Sequence, residues 1–184
     1  MIRPISPKDI PDCVSLYNHY IRSTTITFEC DPLTESQFSD RALQISVQYP
    51  FYVCEDDDNG RILGYAYLSP YSERKAYRFV CDLSIYVAAD VRGQGVGHDL
   101  YQAIEAEAYR RGFYAIIAVV TGENTASMAF HERQGFVLMA EFENMGYKLG
   151  RWLGVRYYRK TLRKPDPVTP PDELIPAPPS DMLP

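Results

Sequence analysis

Three features of this 184-residue chain have the residue types and spacing to do chemistry: a glycine run, a carboxylate inside an apolar strand, and one histidine. The glycine run is "VRGQGVG", from Val91 to Gly97, placed where the apolar stretch "LSIYV" hands over to a good helix pattern. Glycine has no Cβ, so its backbone turns freely and a ligand can reach the amides directly. Amides at the first turn of a helix, reinforced by the helix dipole, attract anions. Arg92, Gly93, Gln94, Gly95, Val96 and Gly97 therefore read as a phosphate cradle, with Arg92 adding a charge-assisted contact. The plainer alternative is a tight strand-to-helix turn with one glycine present for packing. Missing residues narrow the anion. No Gly-Lys-Ser/Thr follows, so the lysine and magnesium-binding hydroxyl of a nucleoside triphosphate loop are absent. His98 stands where a dinucleotide fingerprint would need its last glycine, and no acidic residue closes the next strand pattern, "FYAIIAVV". A diphosphate other than that of ATP or NAD is left.

Asp82 interrupts "YRFVCDLSIYV". An unpaired charge in a packed strand is costly, which marks it for function unless it faces solvent or pairs with Arg78. His131 lies in "SMAFHERQGF". Its imidazole either titrates near neutrality for use or is a half-buried helix histidine bonded to a backbone carbonyl. His19 and His98 have no cysteine or carboxylate at ligand spacing, so no metal site is expected.

These residues need elements to hold them. "SPKDIPDCVSLYNHYI" reads as a first helix, with Ser6 and Asp9 placed for a capping box and Pro11 as the rival first turn. "RSTTITFECDP" separates it from a second helix over "LTESQFSDRALQIS", where Thr34 and Gln37 fit another box. "FYVCE", "DDDNG" and "RILGYAYLSP" form the clearest hairpin. "YRFVCDLSIYV" reads as one long strand, Gln94 to Arg111 as a helix stopped by Gly112, and "FYAIIAVV" as a central strand covered on both faces. "NTASMAFHERQ" is a short helix, and "FVLMAEFEN" and "RWLGVRYYRKTL" are two further strands. The order predicts a mixed α/β sheet in a single domain. From residue 163 the character changes: eight of the last 20 residues are proline, which predicts an extended or disordered tail outside the fold.

Composition sets the remaining bounds. A net charge of −5 with no basic track argues against nucleic acid as a partner. No segment has the length of a membrane span, and "MIRPISPKDI" lacks a signal-peptide pattern. Cys13, Cys30, Cys54 and Cys81 form no CxxC pair and read as reduced thiols, so cytoplasm is the expected location.

Taken together, "VRGQGVG" resembles the pyrophosphate loop of the GCN5-related N-acetyltransferases, with Arg92, Gly95 and Gly97 at the signature positions. "ENTASMAFHERQGF" resembles their second cofactor segment through Asn124, Ser127, Gly135 and Phe136. Within that superfamily, "LYNHYIRSTTITFE", "LSIYV", "FHERQGF" and "LGRWLGVRYYRKTL" are similar to the phosphinothricin and methionine sulfoximine acetyltransferase branch, over residues 1–162. The resemblance implies a mostly antiparallel sheet flanked by helices, with two central parallel strands that splay to admit acetyl-coenzyme A as co-substrate. It implies that the backbone of Ile85, Tyr86 and Val87 bonds the pantetheine arm, and that Asn124, Ser127 and His131 lie along the coenzyme.

It further implies Asp82 as the base that takes the proton from an amine, although the branch carries a glutamate there, followed by a histidine, where this chain reads "CDLS". His131, tyrosine in much of the superfamily, would protonate the leaving thiolate or bond the coenzyme. Phe28 and Glu29 would lie on the substrate side. Arg74 and Arg78, in "SPYSERKAYRF", would bind the carboxylate of an amino-acid-like acceptor, or else belong to a solvated loop. Members of the branch pair as homodimers, which would bury Trp152 and Tyr157. Three rivals stay open: a polyamine acceptor, a protein N-terminus as acceptor, and a coenzyme-binding sensor without catalysis.

Overall fold

The computed structural model describes residues 1–169 and 171–176. Seven strands form one sheet: β1 (Ile2–Pro4), β2 (Phe51–Glu55), β3 (Ile62–Pro70), β4 (Val80–Val87), β5 (Ala115–Thr121), β6 (Val137–Lys148) and β7 (Arg151–Thr161). Their order is β1-β2-β3-β4-β5-β7-β6. Every neighbouring pair is antiparallel except β4 with β5, which is parallel. Four helices accompany them: α1 (Ile10–Ser23), α2 (Glu35–Gln48), α3 (Val96–Arg111) and α4 (Thr125–Arg133). This is the mixed, mostly antiparallel α/β sheet flanked by helices that the sequence predicts.

Side-chain alternation along the strands divides the core in two. One cluster packs Val14, Tyr17 and Ile21 of α1 and Phe38 and Ala42 of α2 against Phe51, Val53 and Tyr65. The other packs Leu100, Tyr101, Ile104 and Ala108 of α3 against Leu68, Cys81, Leu83, Ile116 and Ala118. The four-residue spacing in α3 turns one face inward, and Gly112 ends the helix at φ +95°.

Several boundaries differ from the sequence reading. The Ser6–Asp9 capping box caps a short 3₁₀ turn, Pro7–Asp9, and α1 starts after it with Pro11 in its first turn. β1, only three residues long, carries no periodic signal and pairs with β2. β4 starts at Val80 because Lys75–Tyr77 form a 3₁₀ turn, and α3 starts at Val96. β6 runs past Asn144 to Lys148, absorbing two register shifts against β7.

Among the described residues beyond 162, part of the tail is anchored on the fold. Leu174 packs against the α3 core beside Gly112, its Cδ2 lying 3.6 Å from where a Cβ on that glycine would stand. The Ile175 amide donates to the Arg111 carbonyl (3.0 Å), and Arg111 Nε donates to the Ile175 carbonyl (2.8 Å). Arg111 is buried, so this contact satisfies part of a guanidinium that burial penalises. The last residues of the proline-rich tail lie outside the described residues. Leu174→Asp is expected to cost about 1–2 kcal/mol, which for a chain of this size lowers Tm by roughly 2–8 °C. Calorimetry that shows an unchanged Tm would contradict docking of this segment.

Candidate active site

The parallel pair β4–β5 is joined for three residues only: Val80 with Ala115, Cys81 with Ile116, and Asp82 with Ile117. β3 stays paired with β4 to Val87, and β7 stays paired with β5 to Thr121. The sheet therefore forks beyond Asp82. Leu83 to Val87 line one wall of the resulting cleft and Ala118 to Thr121 the other, around a volume of about 290 Å³. Tyr20 and Ile26 enter from the α1 side, and Phe130 and His131 from α4.

At the open end lie Arg92 and Gly97. Gly93 (φ +79°) and Gly95 (φ +91°) adopt the left-handed conformation, and neither has an atom within 4 Å of where a Cβ would be. Gly95 is the N-cap of α3 and supplies no side-chain cap, whereas Thr34 caps α2 and Asn124 caps α4. The first amides of α3 thus have neither an intrahelical partner nor a side-chain one. Gln94 turns away, its Nε2 donating to the Asp90 carbonyl (3.1 Å), and Val96 is buried in the core. The cradle is made of backbone. Beside it, the Tyr20 hydroxyl donates to the Val87 carbonyl (2.6 Å) and accepts from Arg92 Nη2 (3.0 Å).

Asp82 stands at the closed end, where the strands part. It lies just outside the cleft lining, which begins at Leu83. It makes no ion pair with Arg78, and its Oδ1 is buried without a hydrogen-bond partner among the described residues. Burial alone pushes its carboxyl up from 3.8 to about 6.

His131 takes the form of a buried helix histidine bonded to a backbone carbonyl, at the wall of the cleft. It lines the cleft, yet it is only 7% exposed, and its Nδ1 lies 2.8 Å from the Ser127 carbonyl. A carbonyl only accepts, which assigns the proton to Nδ1 and leaves a lone pair on Nε2. Burial lowers the imidazole pKa, partly opposed by the Ser127 carbonyl. The ring is therefore neutral near pH 7 and suited to accept at Nε2, which disfavours the role of proton donor to a thiolate. Asn124 and Ser127 also line the cleft, but the Asn124 carboxamide oxygen is committed to the Ser127 amide (3.2 Å) as the α4 cap.

None of the four predicted substrate-side residues lines the cleft. Phe28 packs on Gly146, where a Cβ would come within 2.4 Å of the ring. Glu29 pairs with Arg41 of α2 (2.7 Å), and Arg41 lies over the Tyr17 ring. The loop that carries them is tied down by Thr121 Oγ1 to the Thr25 carbonyl (2.6 Å) and by buried Lys148 Nζ to the Thr27 carbonyl (2.7 Å). Arg74 and Arg78 do not line the cleft. Arg74 is exposed in its loop, while Arg78 lies over Phe79 (4.3 Å) and faces Glu173 of the tail (3.8 Å). Sequence reasoning missed Tyr20, Arg41 and Lys148. Nothing in the local sequence marks Lys148 or Arg41, and Tyr20 is one of 15 tyrosines. Among the described residues, no three His, Cys, Asp or Glu side chains gather to hold a metal ion, and no helix is long and apolar enough to cross a membrane.

A forked mixed sheet, with a backbone anion cradle at one end of the fork and a carboxylate at the other, is the arrangement that the resemblance to the GCN5-related N-acetyltransferases implies. The profile of the acetyltransferase (GNAT) family matches residues 13–136, and the chain belongs to that family. It is 33% identical to a phosphinothricin N-acetyltransferase of Alcaligenes faecalis, over 92% of this chain and 86% of that protein. It is 31% identical to an L-methionine sulfoximine/L-methionine sulfone acetyltransferase of Pseudomonas aeruginosa, over 88% of this chain and 94% of that one. Among solved structures, it is similar to a GNAT superfamily phosphinothricin acetyltransferase of Sinorhizobium meliloti in complex with acetyl-coenzyme A. The TM-score is 0.87 at 31% identity, over 95% of this chain and 97% of that one.

The burial of Asp82 has a consequence for stability. Below its unfolded pKa near 3.8 the carboxyl is neutral in both states. Between 3.8 and about 6 the unfolded chain ionises while the folded one holds its proton, and above 6 the folded state carries a desolvated charge. Asp82→Asn should therefore gain stability relative to wild type as pH rises from 4 to 6.5, by at most about 2 kcal/mol. Denaturant titrations at the two pH values measure it, and a stability difference that does not change with pH would place the carboxylate in solvent.

Proposed function

We propose that this protein transfers the acetyl group of acetyl-coenzyme A to the amine of a small amino-acid-like acceptor, of phosphinothricin or methionine sulfoximine type, within a ternary complex. The observation that carries this reading is the fork itself: one cleft joins an uncapped helix N-terminus to the point where Asp82 is buried without a partner. The named relatives support the acceptor class, and residues 1–162 hold every element of the cleft.

The residues fit the coenzyme. The α3 amides and Arg92 would hold its diphosphate, and the β4 backbone at Ile85, freed from β5, would bond its amide arm, the Val87 carbonyl being taken by Tyr20. Acetyl-coenzyme A supplies the acetyl group activated as a thioester. The acceptor nitrogen attacks that carbonyl, the C–N bond forms, the C–S bond breaks and the sulfur leaves as thiolate. Asp82 takes the proton that the amine gives up, directly or through water. A carboxyl near 6 is a better match for an amine than one at 3.8, by roughly a hundredfold in proton affinity. Holding both reactants in one cleft makes the attack effectively intramolecular. Arg74, free in its loop, remains for an acceptor carboxylate, and Arg78 serves only where Glu173 gives way.

The same reading extends to a homodimer. Val137, Met139, Tyr147 and Trp152 on the outer strands β6 and β7 are each more than half exposed, an apolar band that a second copy would cover. Trp152→Glu should turn a dimer into a monomer in sedimentation at micromolar protein, and a wild-type chain that sediments as a monomer defeats the pairing.

Coenzyme A release measured against a panel of amino acids, polyamines and N-terminal peptides tests the function. Amino-acid acceptors should lead, and Asp82→Asn should lower kcat by about 10²–10⁴-fold. The wild-type kcat/KM should fall below pH about 6, as Asp82 protonates, and that limb should vanish in the variant. Binding of coenzyme A without turnover of any acceptor would favour the sensor.

A further inference from the structure

We propose that Tyr20 is a positioning residue for the coenzyme: it holds Arg92 in the orientation that meets the diphosphate, and so sets coenzyme affinity from a helix outside both cofactor segments. The inference rests on the coenzyme reading of the cleft. Tyr20 lies in the last turn of α1, is 4% exposed, and lines the cleft. Its hydroxyl is a junction of three groups. It donates to the Val87 carbonyl at 2.6 Å, accepts from Arg92 Nη2 at 3.0 Å, and faces the Val87 amide at 3.4 Å. A phenol has one proton and two lone pairs, and these contacts use them all.

The ring adds a second hold. Arg92 Cζ lies 5.4 Å from the Tyr20 centroid, over an electron-rich face. The ring is itself fixed edge-on against Tyr86, at 5.2 Å between centroids. Among the described residues Arg92 forms no ion pair, so Tyr20 is its hydrogen-bonding anchor. Arg92 is otherwise exposed, and an exposed arginine loses much rotamer freedom when a ligand fixes it. The Tyr20 contact takes one of five guanidinium donors and leaves the others for an anion at the α3 N-terminus. Much of the ordering is then complete before the diphosphate arrives, which is the general route by which preorganisation raises affinity.

Tyr20→Phe removes the hydroxyl and keeps the ring. Calorimetric titration with coenzyme A should show Kd raised about three- to tenfold. Pantetheine, which lacks the diphosphate, should bind the variant and the wild type equally in competition assays. Arg92→Ala should weaken coenzyme A binding, and the double variant should bind no worse than Arg92→Ala alone, because Tyr20 acts through Arg92. Equal losses for coenzyme A and pantetheine, or additive losses in the double variant, would overturn the proposal by making Tyr20 a support of β4 alone. Gly97→Val separates the two levels of inference. If Gly97→Val weakens coenzyme A binding while Tyr20→Phe does not, only the positioning role falls. If wild type binds no coenzyme A, the cofactor reading falls with it.

Discussion

The site depends on a hydrogen-bond ladder that stops early. β4 and β5 pair through Asp82 and Ile117 and then part, although each remains bonded to its outer neighbour. Buried backbone groups are almost always paired, so strands that part inside a sheet need partners of another kind for their inner edges. At Val87 that partner is a side chain, the Tyr20 hydroxyl. Elsewhere along the fork the edges face the cleft. A parallel pair flanked by antiparallel ones suits this geometry. The crossover that parallel strands require places α3 at the top of the fork, with its N-terminus directed at the cleft mouth.

Two helix starts show how the fold separates structure from function. Thr34 caps α2 through the Gln37 amide at 3.2 Å, and Asn124 caps α4 through the Ser127 amide at the same distance. α3 begins on a left-handed glycine with no cap. Capping is worth about 1 kcal/mol; α1 also lacks a side-chain cap but continues from a 3₁₀ turn, whereas α3 starts bare, a local cost at the place where an anion is expected. Asp82 is the same kind of cost at the other end: a buried carboxylate oxygen without a partner. The core clusters on both faces of the sheet supply the stability that tolerates these two defects.

The glycine loop and Asp82 were legible in the sequence because their signals are local: left-handed turns need glycine, and a carboxylate stands out in "VCDLSIYV". The succession of helices and strands along the chain is legible in the run of patterns apart from β1, whereas the insertion of β7 between β5 and β6 in the sheet is not. What sequence could not show is which side chains meet across the fold. Tyr20 and Val87 are 67 positions apart, and nothing in "YNHYI" separates Tyr20 from its neighbour Tyr17, which packs in the α1 core. Arg78 was singled out by its place before the Asp82 strand, but a 3₁₀ turn carries it toward the tail and Glu173. The tail itself hid Leu174 and Ile175 among prolines, and their anchoring on Arg111 has no periodic signature.

Burial moves Asp82, at the closed end of the fork, and His131, on the cleft wall, toward each other in pKa. It raises the Asp82 carboxyl to about 6 and lowers the His131 imidazole, in both cases by penalising the charged form. At neutral pH the carboxylate is ionised and the imidazole neutral, so both Asp82 and His131 Nε2 can accept a proton. His131 has its Nδ1 proton committed to the Ser127 carbonyl and offers only a lone pair at Nε2. A departing thiolate is a weak base with a pKa near 8.5, so it needs no strong acid to leave. Two groups with free lone pairs thus flank the fork, the carboxylate where the strands part and the imidazole on the α4 wall.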